Sequence, residues 1–196
     1  MTKVNENTSP ANALSLWAQL KEDWLTHQSD WTKAGFRAIA VHRFGLWRMS
    51  LQPKLLRAPF SLIYRAHYRY IRNVYGIDLP YTVKLGRRVI IEHQGAIVIH
   101  GNCHIGDDSI LRQGVTLGNR HLSHPFDAPQ LGERVNVGAG AKILGPVVLG
   151  NDVNIGANAV VLSDIPAGQT AVGIPAKSLK NRHPVSEQPA DPLLTH

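Results

Sequence analysis

The sequence predicts a mainly β protein: a parallel β-helix preceded by a small α-helical domain. Three observations carry that prediction. Up to about Tyr75 the apolar residues fall at helical spacing. From Tyr81 an aliphatic residue returns at every sixth position. Glycine follows many of those residues, as in VNVGAGAKILGPVVLGNDVNIGANAVVL from Val135 to Leu162. A chain of 196 residues with 43% hydrophobic side chains can bury a real core.

The polar stretch MTKVNENTSP at residues 1–10 is expected to be disordered, and Ser9-Pro10 reads as a helix start signal. Residues 11–75 form the expected helical domain. Leu14, Trp17, Leu20 and Trp24, then Phe36, Ile39 and Phe44, then Leu55, Leu56, Phe60, Ile63, Tyr64, His67 and Ile71 mark roughly three helices, with Pro53 a break. Residues 1–80 hold eleven Lys/Arg against five Asp/Glu, whereas residues 81–196 hold ten against nine, so the formal charge of +7 belongs mostly to the helical part. A solvated basic helix face explains this, and attraction to an anionic membrane or a phosphate-bearing ligand is the functional alternative. No nucleic-acid-binding motif accompanies the charge, so no such partner is expected. The segment PKLLRAPFSLIYRAHYRYIRNVYG sets Lys54, Arg57, Arg65, Arg69 and Arg72 among aromatics; packing on the β-helix and peripheral membrane contact are its two uses. A single cysteine, Cys103, forms no intramolecular disulfide, and the chain shows neither a signal-peptide core nor a membrane-spanning run. The expected location is the cytoplasm.

Beyond Tyr81, Leu85, Ile91 and Ile97 share one six-residue phase, and Ile105, Leu111 and Leu117 a second, offset by two residues. Leu131, Val137, Ile143, Leu149, Ile155 and Val161 then follow without a slip. Positions two before these are often small or β-branched: Val83, Val89, Cys103, Ser109, Val115, Val135, Ala141, Val147, Val153 and Ala159. A six-residue step is a short strand and a turn, repeated, with one aliphatic side chain always pointing inward; three steps close one coil of a triangular prism. Evenly spaced ordinary strands would not restore glycine at every sixth position. Gly132, Gly138, Gly150 and Gly156 fall at tight corners. The solenoid is expected over residues 76–180, with a tail at 181–196.

The repeat, the closing VGIPAK (Val172–Lys177) and the earlier GIDLPYTVKLGRRVIIEHQGAIVI together resemble the hexapeptide-repeat acyltransferases. The closest resemblance is to the serine O-acetyltransferase branch and its relatives in exopolysaccharide clusters, over about Gly76 to Lys180. It implies a left-handed β-helix, a homotrimer, and acetyl-CoA lying in the groove between neighbouring subunits, with three equivalent sites.

Acetyl transfer from a thioester to a hydroxyl requires a base for the hydroxyl proton, a role suited to histidine. His93, in IIEHQG, stands where the resemblance places the catalytic histidine, and Asp78, fifteen residues upstream, matches the aspartate that steadies its ring. Glu92 stands at an aspartate that touches the amino-acid substrate. Gly118, Ala139 and Ala157 match positions whose small side chains admit the pantetheine arm, and an N–H near Gly118–Asn119 is the candidate oxyanion donor. Lys177 is the expected phosphate partner, with Lys180 and Arg182 as helpers.

The excursion GNRHLSHPFDAPQLG breaks the rhythm and carries Arg120, His121 and His124, candidates for acceptor contact; a histidine there is also the alternative base, as in the sugar and antibiotic acetyltransferases. Zinc chemistry of the γ-carbonic anhydrase type is disfavoured by the spacings of His100/His104 and His121/His124, so no metal is expected. Asp127-Ala128-Pro129 replaces the Arg-His-Pro of serine acetyltransferases and removes the usual cation for a carboxylate. With Glu92 in place of aspartate and a short helical part, this points to a sugar hydroxyl of an exopolysaccharide precursor as acceptor; L-serine, as in cysteine biosynthesis, is the alternative.

Overall fold

A computed structural model describes residues 14–179. The expectations for residues 1–10, Ser9-Pro10, Lys180, Arg182 and the tail lie outside the described residues. Helix α1 (Leu16–Thr26) begins at Ser15, whose hydroxyl accepts the Ala18 N–H at 3.3 Å. Helix α2 (Ala34–Ser50) stops before Pro53, and Pro53 then stands at the head of α3 (Lys54–Tyr70). A π-helical turn, Ile71–Tyr75, leads to Gly76, whose φ of +65° turns the chain from helix to strand.

The buried face of α1 differs from the one its apolar spacing suggests. Trp17 is 79% exposed, while Asp23 is buried and ion-paired with Arg43 of α2 at 3.0 Å. The reason lies in the solenoid beneath. In the second face the Cys103 and Ile105 carbonyls accept the Lys84 and Gly86 N–H groups of the coil before, and their first-coil counterparts, Val83 and Leu85, have no preceding coil to donate to them. Helix α2 supplies their partners: His42 donates to Val83 O at 3.0 Å, and Arg43 to Leu85 O at 2.9 Å and Gly86 O at 2.6 Å. Gly35 allows this approach, since a β-carbon there would collide with the Ile91 carbonyl. On α3, Tyr64 is buried while Lys54, Arg65 and Arg69 are exposed. No helix of the described residues is long and apolar enough to cross a membrane.

The remainder is a left-handed parallel β-helix with three faces. The first face stacks β1 (Ile77–Asp78), β4 (Ile97–Ile99), β7 (Thr116–Gly118), β10 (Lys142–Leu144) and β13 (Val160–Val161). The second stacks β2 (Lys84–Leu85), β5 (His104–Ile105), β8 (Gln130–Leu131) and β11 (Val148–Leu149). The third stacks β3 (Ile90–Ile91), β6 (Ile110–Leu111), β9 (Asn136–Val137), β12 (Asn154–Ile155) and β14 (Thr170–Val172), closed by an antiparallel β15 (Lys177–Leu179). Leu111, Leu117, Leu131, Ile143 and Val161 are fully or almost fully buried along the axis, as the six-residue phase requires. Cys103 belongs to the same core, and burial pushes its thiol up to about 12, which leaves it an inert packing group.

Two departures from the repeat stand out. Ile91 pairs with Leu111 and Ile99 with Leu117, so seven residues span the corner in the first coil where five suffice in the second. The two-residue offset in the sequence is this insertion. It carries His93. The other departure is the excursion at 119–129, which leaves the opposite end of the first face, between β7 and β8.

Candidate active site

The edge between the third and first faces collects several candidate residues. Glu92 and His93 lie on the widened corner of the first coil; Arg112 follows on the second coil, Ala139 on the third and Ala157 on the fourth. Backbone bonds hold the column together, Gly114 N–H to Gly95 O at 2.9 Å, Gly140 to Gln113 O at 2.8 Å and Asn158 to Ala139 O at 2.8 Å. Lys177, exposed on β15, ends the stack beside Val172. The result is a run of small corner residues between a histidine and a lysine.

At its upper end this edge opens into a cleft of about 440 Å³. Glu92 and His93 form the solenoid wall, while Thr26, His27, Gln28 and Lys33 from the turn between α1 and α2 form the other. The His93 ring is exposed and makes no hydrogen bond among the described residues, so both nitrogens are open to a ligand. His27 is different. Its Nδ1 donates to Asp23 O at 2.7 Å, its Nε2 accepts the Ile91 N–H at 3.4 Å, and burial lowers its pKa, which keeps it neutral.

Asp78 sits on β1 opposite Val98 of β4, the strand into which the His93 corner leads. Its carboxylate accepts the Tyr68 hydroxyl, whose pKa is pushed up by burial first and by Asp78 second, so Tyr68 remains the donor. Among the described residues no hydrogen bond joins Asp78 to His93. Glu92 is held by Arg112, Nε to Oε2 at 2.7 Å. Tyr68 gives no sign of itself in the sequence. Arg112 does, once the insertion is placed, because it falls one coil beyond Glu92 with the opposite charge.

Gly118, Asn119, Arg120, His121 and His124 stand elsewhere, at the far end of the first face. Gly118 takes the Gly145 N–H at 2.8 Å, the Asn119 amide donates to His121 O at 3.1 Å, and the His121 and His124 rings meet edge to face at 6.5 Å. Ala128 is buried, while Leu122 and Phe126 project into solvent. One chain therefore does not bring this loop to His93. Among the described residues no three His, Cys, Asp or Glu side chains gather as a metal site.

A left-handed solenoid with a histidine in an edge cleft and a flat run of small corners defines a hexapeptide-repeat transferase, and residues 128–163 match the family model described as bacterial transferase hexapeptide (six repeats). The serine acetyltransferase of Helicobacter pylori strain J99 is 48% identical over 145 residues, covering 74% of this chain and 81% of that enzyme. Soybean serine acetyltransferase complexed with serine superposes with a TM-score of 0.71 at 29% identity, over 84% of this chain and 70% of that one. The Brucella abortus S19 enzyme in complex with coenzyme A gives 0.70 at 26% identity, over 83% and 67%. The chain belongs to the serine acetyltransferase family and is an O-acetyltransferase that uses acetyl-CoA as co-substrate.

These relatives overturn the sugar acceptor expected from the sequence, and the exopolysaccharide role with it. That expectation rested on a missing loop cation, on Glu92 in place of an aspartate, and on a helical part too short to touch substrate. On the last point the structure differs: the α1–α2 turn builds one wall of the His93 cleft, with Lys33 among its lining residues.

Proposed function

We propose that the protein acetylates the hydroxyl of L-serine, forming O-acetyl-L-serine and free coenzyme A, with His93 as general base. The observation that carries this reading is the 48% identity to the Helicobacter pylori enzyme across 81% of its length, a span that includes the His93 corner and its neighbours. His93 takes the hydroxyl proton as the serine oxygen attacks the thioester carbonyl. The tetrahedral oxyanion then collapses, the carbon–sulfur bond breaks, and the departing thiolate recovers the proton from the imidazolium. Asp78, held by Tyr68 and not bonded to His93 among the described residues, is the carboxylate assigned to offset the transient charge of the imidazolium.

The pantetheine arm lies along the edge past Ala139 and Ala157 toward Lys177, whose ammonium takes a phosphate of coenzyme A. A homotrimer supports this chemistry: Gly118–Asn119, the oxyanion donors, and the loop bearing Arg120, His121 and His124 reach His93 only from a neighbouring subunit, because each chain carries them at opposite ends of one face. The cytoplasm, where acetyl-CoA is available, is the proposed site of action.

A thiol-release assay with acetyl-CoA tests the reading by comparing L-serine with a panel of saccharides and nucleotide sugars. Saturable turnover on L-serine is expected. Turnover confined to a saccharide, with L-serine inert, would overturn it.

A further inference from the structure

The loop segment Asp127-Ala128-Pro129 offers no cation, yet a free amino acid brings a carboxylate that cannot be desolvated without one. The cleft at His93 holds such a group on its other wall. Lys33 stands half-buried at the head of α2, and it is the only Lys or Arg among the residues that line the cleft. Its Nζ donates to the Gln28 side-chain oxygen; among the described residues no carboxylate stands within ion-pair distance of it, although its charge, after the Thr32 hydrogen bonds, helps lower the pKa of Asp30. His27 cannot substitute, being buried, neutral and engaged at both ring nitrogens.

The cleft thus carries a cation on its helical wall and, on its solenoid wall, the Glu92 carboxylate, whose Oε2 is held by Arg112, with His93 next to it. A zwitterion needs this pairing. Resting on the serine reading above, we infer that Lys33 binds the α-carboxylate of the acceptor, Glu92 its ammonium, and His93 its hydroxyl. The Gln28 amide nitrogen, which has no hydrogen-bond partner among the described residues, adds a second donor to the carboxylate. Arg120 lies at the far end of the first face, so it reaches the cleft only from a neighbouring subunit, and Lys33 is the cation that the His93 chain itself supplies. Lys33 is therefore a specificity residue contributed by the helical domain, and it selects acceptors that combine an amine with a carboxylate.

The test uses the full chain and the variants Lys33→Gln and Lys33→Arg, each checked for folding by circular dichroism. KM for L-serine, KM for acetyl-CoA, and the preference for L-serine over 2-aminoethanol, which lacks the carboxylate, are measured. Lys33→Gln should raise the L-serine KM by about ten- to a hundredfold, the scale of a lost charged hydrogen bond. It should shrink the preference over 2-aminoethanol by a similar factor and leave the acetyl-CoA KM alone. Lys33→Arg should recover most of both. If the wild-type chain acetylates L-serine and Lys33→Gln changes neither its KM nor the preference, Lys33 has no such role while the serine reading stands. If the wild-type chain does not acetylate L-serine, both fall.

Discussion

Nε of Arg112 stands 2.7 Å from a carboxylate oxygen of Glu92, one coil further along the same edge. The two side chains are 29% and 39% exposed, so solvent screens the pair and its contribution to stability is at most ~1 kcal/mol. Its effect is positional. Arg112→Gln should leave the unfolding midpoint nearly unchanged and raise the L-serine KM by roughly three- to tenfold, the equivalent of ~1 kcal/mol of lost orientation. A variant that loses stability and keeps its KM would make the pair purely structural.

His93→Ala removes an exposed side chain from a corner, so the fold should be indifferent to it. Turnover should fall by roughly 10²–10⁴-fold while acetyl-CoA still binds by calorimetry, the range usual for a positioned base. Asp78→Asn should cost less. A nearly active His93→Ala beside an inactive His124→Ala would move the base into the 119–129 loop.

Gly35 is the point of closest approach between α2 and the solenoid. In Gly35→Ala the new methyl meets the Ile91 carbonyl, which cannot yield because it is backbone. Thermal or urea unfolding should show a loss of about 1–3 kcal/mol, as for other overpacked contacts. Because Gly35 also lines the cleft, activity should drop with it. Wild-type stability in Gly35→Ala would contradict the packing.

The buried histidines set a pH dependence. Burial lowers the His42 pKa to about 4, with Arg43 adding to the effect and the bond to Val83 opposing it. In the unfolded chain the same group titrates near 6.5, so between about 6.5 and 4 the unfolded state binds the extra proton and folding stability falls as the pH falls. The loss from His42 is on the order of 3 kcal/mol across that window, and His27, shifted the same way by burial, adds to it. Equilibrium unfolding from pH 8 to pH 4 should show this slope. Stability that is flat from pH 7 to pH 5 would refute it.

The solenoid was legible because its period is enforced at every coil: Leu131, Val137, Ile143, Leu149, Ile155 and Val161 fill one axis, and any other spacing would turn them outward. The two-residue offset between the phases of Ile97 and Ile105 was visible in the sequence, but that it marks an insertion carrying His93 emerges only from the pairing of Ile91 with Leu111 and Ile99 with Leu117. The helical contribution was not legible. His42 and Arg43 are buried against carbonyls 41 to 43 positions away, with Asp23 ion-paired to Arg43, and no local pattern announces a bond to the backbone of another element. Lys33 was hidden for the same reason: its place in the cleft depends on how α2 docks on Ile91, which Gly35 permits and periodicity does not encode. The acceptor was misjudged because a missing cation in one loop was read without knowing which other element faced His93.

The carbonyls of Val83, Leu85 and Gly86 that α2 covers give the enzyme an indivisible construction. Many solenoids can be shortened or extended coil by coil, since each repeat asks only for a neighbour. Here the element that terminates the stack also walls the His93 cleft, so a chain stripped down to its repeats would lose its cover over the Val83, Leu85 and Gly86 carbonyls and one wall of that cleft together.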